Sequence, residues 1–238
     1  MFIASMNTPP DETVQLPRGA TAVVWRRHAR ARRVSLRIDH RGGRVIVTLP
    51  KRAGRPAGMA LLMTHADWVA ERLAALPDAI PFANGALVPL HGVAHRIRHT
   101  PNLRGGARAE AGEILVGGGA AFLSRRMSDF LHAAALHAMR ALVAEKSPRL
   151  GRTATRVTVK DTRSRWGSCS ARGVISFSWR LVMAPPFVQD YVAAHEVAHL
   201  AHMNHGPRFW AAVSELTSHT ESALAWLRRE GASLARVG

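Results

Sequence analysis

The chain has 238 residues, 47% of them hydrophobic, so it can bury a sizeable core as one large domain or two lobes. Its formal net charge is +17, with 33 basic against 16 acidic residues, and lysine stands only at positions 51, 146 and 160. A single cysteine, Cys169, excludes an intramolecular disulfide framework, and no uninterrupted apolar run is long enough to cross a membrane. The first twelve residues lack the basic and apolar segments of a signal peptide, so the expectation is a cytoplasmic protein without a membrane partner. An arginine excess suits phosphate or nucleic acid, since guanidinium forks match phosphate oxygens, but it equally describes a solvated surface.

In chain order, residues 1–19 are polar and proline-containing and read as a flexible lead-in. Strand patterns follow at Ala22–Trp25, Val34–Ile38 and Val45–Leu49, the last two joined by the hairpin signal His40-Arg41-Gly42-Gly43. Arg26, Arg27, Arg30, Arg32 and Arg33 cluster before the second of them, as a phosphate grip or, preferably, the wet side of a hairpin. Residues 57–76 carry Leu61, Leu62, Trp68, Val69 and Leu73 at helical spacing, with the Met and Trp side chains read as core. Two short strands surround His91-Gly92, which spreads His91, His95 and His99 along a strand and argues against a metal site there. Pro101–Gly112 reads as a loop and Glu113–Val116 as a strand. A long helix is expected over 121–146.

Past Pro148 the pattern gives a strand at Arg156–Lys160, a loop at Thr162–Ser170, a strand at Val174–Ser178, then helices over 207–217 and 221–235. The latter pair offers Trp210, Val213, Leu216, Leu224 and Leu227 to pack beneath the preceding helix. Pro185-Pro186 opens that helix, which carries Ala193-Ala194-His195-Glu196-Val197-Ala198-His199 and is expected to break at Asn204-His205-Gly206-Pro207. The three parts are thus a lead-in (1–19), a β-rich region with one helix (20–117) and a region carrying His-Glu-x-x-His (118–238).

His195 and His199 stand one helical turn apart, where two neutral imidazoles can reach one Zn²⁺ and Glu196 lies beside an attacking water. A catalytic zinc needs a third protein ligand. His202 shares a face with His195 but sits about 10 Å further along a straight helix, too far to converge. His205 lies beyond the expected turn, where the chain can fold back, and is the better candidate.

With Arg165-Trp166-Gly167-Ser168-Cys169-Ser170, Leu90-His91-Gly92, Pro185-Pro186, Asp190-Tyr191-Val192, the His-Glu-x-x-His helix and His205…Phe209-Trp210, the chain resembles the YgjP-like metal-dependent hydrolases, allied to the WLM and SprT-like zinc metallopeptidases. The resemblance implies an α+β, zincin-like core in which a small sheet packs on the helix, zinc held by His195, His199 and His205, and Glu196 as the catalytic residue. Ser178 departs from the asparagine often seen in similar proteins. His202 replaces the glycine of the metzincin pattern, which argues against that group.

The main reading is a zinc-dependent metallopeptidase with Glu196 as general base, acting on a peptide or protein. The alternatives are a metal-dependent nucleoside triphosphate pyrophosphohydrolase, which suits the arginine excess, and a protease working on DNA-associated proteins, as the SprT-like resemblance suggests. Gly173–Ser178 is either an edge strand for an extended peptide or an inner strand. Arg165 and Trp166 line the site mouth or pack. Tyr191 donates to an oxyanion or packs, and Cys169 is a small loop residue rather than a ligand.

Overall fold

The protein is described from a computed structural model covering residues 12–162 and 165–238; residues 1–11 of the expected lead-in, and Arg163 and Ser164 of the expected loop, lie outside the described residues. The chain divides after Asp78 into two units. The first contains β1 (Glu12–Leu16), β2 (Gly19–Arg27), β3 (Ser35–Asp39) and β4 (Arg44–Leu49), in the order β1-β2-β4-β3. The hairpin across residues 40–43 forms as expected, with Gly43 at φ 61° and its amide donating to the Asp39 carbonyl at 2.9 Å. Residues 12–16 are not lead-in. Val14 and Leu16 alternate with exposed neighbours and are buried, and β2 pairs antiparallel with them in the register Val14↔Thr21.

One helix was expected over 57–76, but two occur, α1 (Arg55–Thr64) and α2 (Ala66–Ala74). The Thr64 hydroxyl donates back to the Ala60 carbonyl at 2.9 Å, a bond that bends helices, and the chain breaks at His65. Leu62 and Val69 carry the core face onto Val23, Val45 and Val47. Met63 (47% exposed) and Trp68 (38% exposed) point outward instead of into the core. Arg27, Arg30, Arg32 and Arg33 are exposed, as the wet side of the hairpin requires.

The second unit begins with β5 (Leu87–Leu90), β6 (Val93–His99), β7 (Ala107–Glu110) and β8 (Glu113–Val116), ordered β5-β6-β8-β7. β6 confirms that His95 and His99 lie along a strand. β7 occupies part of the expected loop, because Ala111 and Gly112, both at positive φ, turn it against β8. These strands were expected to belong with the N-terminal part. They do not, because Val88, Ile97, Ile114 and Val116 share one apolar cluster with Met127, Leu131 and Met139 of α3 (Leu123–Lys146).

Next come β9 (Arg156–Lys160), β10 (Gly167–Cys169) and β11 (Val174–Ser178), ordered β10-β11-β9. β11 runs parallel to β9 and antiparallel to β10, so Gly173–Ser178 is an inner strand and β10 is the edge. Helices α4 (Pro186–Ala198), α5 (Pro207–Leu216) and α6 (Thr220–Ala235) complete the chain. A small sheet beside the helix bearing His-Glu-x-x-His is the α+β arrangement expected of a zincin-like core. Among the described residues no helix is long and apolar enough to cross a membrane.

One buried ion pair ties the helices together. Lys146, 1% exposed at the end of α3, places Nζ 2.5 Å from Oδ1 of Asp190 on α4 and 3.1 Å from the Leu216 carbonyl ending α5. Thr217 donates to the other oxygen of Asp190 at 2.5 Å. Removing Asp190 leaves the buried Lys146 ammonium with only the more distant, exposed carboxylate of Glu145 at 3.7 Å. Asp190→Ala is therefore expected to lower unfolding free energy by about 3 kcal/mol in urea titration; a loss within about 0.5 kcal/mol contradicts this account.

Candidate active site

Helix α4 starts at Pro186, its fixed φ suiting the first helical turn, and Gln189 anchors that end by donating Nε2 to the Ala184 carbonyl at 2.6 Å and to His91 Nδ1 at 3.1 Å. Ala193, Ala194, Val197 and Ala198 are fully buried, so one face locks into the core while His195 and His199 stay half-buried on the other side. The helix ends at Ala198, short of the expected break at 204–207. The amides of Leu200 and Ala201 bond three residues back, to Val197 at 2.9 Å and Ala198 at 3.1 Å, which tightens the last turn and redirects the chain. His199 is the cap, and His205 returns toward the helix.

The outcome is a cluster. His195, His199 and His205 each offer a ligand nitrogen, and these atoms lie within 4.8 Å of one another. His202 does not join them through its ring. Its carbonyl accepts from His199 Nδ1 at 3.0 Å, which fixes the tautomer and leaves His199 Nε2 free. His195 Nε2 lies 3.2 Å from His205 Nε2. Two ligand nitrogens around a tetrahedral zinc with ordinary bond lengths stand about 3.3–3.4 Å apart, so this pair fits a shared cation. Burial, then the neighbouring His199 and His205, push His195 down to about 4, and burial lowers His199 as well. Both rings are neutral near pH 7 and their lone pairs are available.

Phe209 makes the floor. Fully buried on α5, its ring centroid lies 4.9, 4.6 and 4.6 Å from those of His195, His199 and His205. In the sequence Phe209 stands out only as part of the His205…Phe209-Trp210 motif, and Trp210 is the residue expected beneath the helix. Trp210 is 39% exposed and flanks the cluster, 6.0 Å from His195. The signal was present in Pro207, which starts α5 just after His205 and sets its inward face one turn on.

Glu196 is 5% exposed, and its Oε2 is buried without a hydrogen-bond partner. Burial pushes its carboxyl up to about 7, against the opposing pull of Arg165. The side chain lies against the backbone of β10. A Cβ on Gly167 would stand 2.5 Å from Glu196 Cγ and 2.7 Å from Cδ, so a larger residue there would have to displace the carboxylate. Cys169 shares that strand, half-buried outside the histidine cluster. Burial first, and Glu196 second, push its thiol up to about 11, which keeps it protonated. Tyr191 is buried with its ring 6.0 Å from His195, and burial then Glu196 raise its phenol. Ser178 is buried at the end of β11, its amide donating to the Trp166 carbonyl at 2.8 Å.

A family model described as YgjP-like, metallopeptidase domain, matches residues 32–230. No curated protein sequence matches the chain. Among solved structures, a metallopeptidase zymogen, Pyrococcus abyssi abylysin, is similar at a TM-score of 0.35 and 18% identity, over 38% of this chain and 93% of that one. A likeness so low carries no argument beyond the observation.

The raised carboxyl predicts a pH dependence for the metal-free protein. Raised to about 7 from the ordinary glutamate value of 4.5, the carboxyl holds its proton more tightly in the folded state. That stabilisation is full below 4.5 and is lost as pH rises through about 7. Glu196→Gln should therefore raise the stability of metal-free protein above that range by on the order of 1–3 kcal/mol. The gain should close in acid. Thermal melts at several pH values in chelator test this, and a gain independent of pH contradicts it.

Proposed function

Because the chain belongs to the YgjP-like metallopeptidase family, we propose that it is a zinc-dependent peptidase in which His195, His199 and His205 hold the ion and Glu196 is the general base. The observation that carries this reading is the convergence of three ligand nitrogens within 4.8 Å beside a buried carboxylate oxygen that has no partner of its own.

A zinc ion held by His195, His199 and His205 would supply Lewis acidity and bring the pKa of a bound water toward about 7. The chain's own residues do the rest. The His202 carbonyl orients His199, and the ring of Phe209 supports all three imidazoles. Glu196 turns a buried carboxylate oxygen with no partner of its own toward the cavity that holds the three imidazoles, where it can accept a proton. It takes a proton from the attacking water and delivers it to the leaving amine. Gly167 keeps the space in which that carboxylate sits. The outer edge of β10 offers backbone groups to an extended peptide, a mode that binds the main chain without reading side chains.

Three variants separate the roles. Glu196→Gln should retain one zinc per chain and lose turnover of unstructured peptides by at least about 10²-fold; retained turnover excludes Glu196 as the base. The double variant His195→Ala/His199→Ala should lose the zinc altogether. Gly167→Ala should keep the zinc and lower kcat by displacing Glu196, and unchanged kcat contradicts the steric argument. Parallel assays on casein-like peptides and nucleoside triphosphates divide the enzyme readings, since turnover of the triphosphate alone overturns the peptidase.

A further inference from the structure

Edge strand β10 has three cavities along it, met in chain order. The first, about 250 Å³, takes Trp166, which immediately precedes the strand, and Gly167, its first residue, and is walled by Tyr191, Val192, Leu224 and Leu227, with Arg165 also lining it. Gly231 on α6 makes room for its main wall, since a Cβ there would stand 3.2 Å from Trp166 Cζ2. The second cavity, about 310 Å³, holds Ser168 and Cys169 together with the three imidazoles. It shares Gly167, His195 and Glu196 with the first.

The third cavity, about 390 Å³, begins where β10 ends and shares His199 and Met203 with the second. Its character is opposite to that of the first. Ser170, Arg172, Arg152, Thr153 and Thr155 line it, and no carboxylate does. Arg152 and Arg172 are exposed and make no ion pair among the described residues. Thr155 holds the Arg172 backbone by donating to its carbonyl at 2.6 Å. The edge thus runs from an apolar pocket, past the proposed zinc site, to a pair of guanidinium groups.

An extended chain advances about 3.3 Å per residue, so a bound peptide meets these environments within a few residues of the reacting bond. Apolar walls favour a bulky aliphatic or aromatic side chain, and two unpaired guanidinium groups favour a carboxylate. Resting on the peptidase reading, we propose that the preferred substrate is a peptide with a bulky apolar side chain on one side of the scissile bond and an acidic side chain on the other. The apolar side chain occupies the Trp166–Leu227 cavity, and the carboxylate pairs with Arg152 and Arg172.

The test measures binding separately from turnover. Zinc-loaded Glu196→Gln protein, which does not consume its ligand, is titrated with labelled peptides that differ only in Glu or Gln on one side of a central bond and Leu or Gly on the other. Fluorescence anisotropy should show the Glu peptide binding about tenfold tighter than the Gln peptide at low salt, with the ratio shrinking as salt rises. The double variant Arg152→Gln/Arg172→Gln should abolish that ratio and leave the Leu-over-Gly preference intact. Equal affinities, no binding of any peptide, or a ratio that survives the arginine substitutions overturns the proposal. Wild-type enzyme is then given the same peptides: selective binding without cleavage would remove the peptidase reading while leaving the groove assignment standing.

Discussion

Everything in this site depends on where one helix stops. His195 and His199 lie on one face of α4 by spacing alone, but a helix that ran on would carry every later side chain away along its axis. Ending at Ala198 and closing with two short backbone bonds, the chain turns within seven residues and brings His205 back to within 3.2 Å of His195. The turn also sets the His202 carbonyl against His199. One backbone event therefore delivers the third imidazole and orients the second.

The cluster is expensive in electrostatic terms. It holds a carboxyl raised to about 7 and an imidazole lowered to about 4, each shifted chiefly by burial. Groups kept in such states beside one another are a liability for a purely structural helix, and they suit a site that takes up a cation and moves a proton. The rest of the unit supplies the rigidity to bear the cost. Gly167 allows the edge strand to press on Glu196, Phe209 closes the floor, and the Lys146–Asp190 pair fixes α4 against α3.

Part of this was legible in the sequence. Helical spacing selected His195 and His199, and reach along a straight helix rejected His202 in favour of His205, which is the residue that joins the cluster. The end of α4 was misplaced because Leu200-Ala201-His202 contains neither Gly nor Pro, and the turn there is made by backbone bonds. Strand β10 was missed because Gly-Ser-Cys has no β-branched residue and exists as a strand only through its pairing with β11. β7, reading Ala-Arg-Ala-Glu, escaped for the same reason. The division after Asp78 was illegible because β5 to β8 look like their N-terminal neighbours until α3 packs on them. Local pattern reports chemistry at fixed spacing well, and reports poorly whatever depends on a distant partner.

The most direct measurement is an anomalous-scattering map at the zinc edge from crystals of the zinc-loaded protein. The account predicts one peak per chain, bonded to Nε2 of His195, His199 and His205 at about 2.0–2.1 Å, with Glu196 outside the bonded shell. A peak lacking His205, or one bonded to His202 or Cys169, would contradict it.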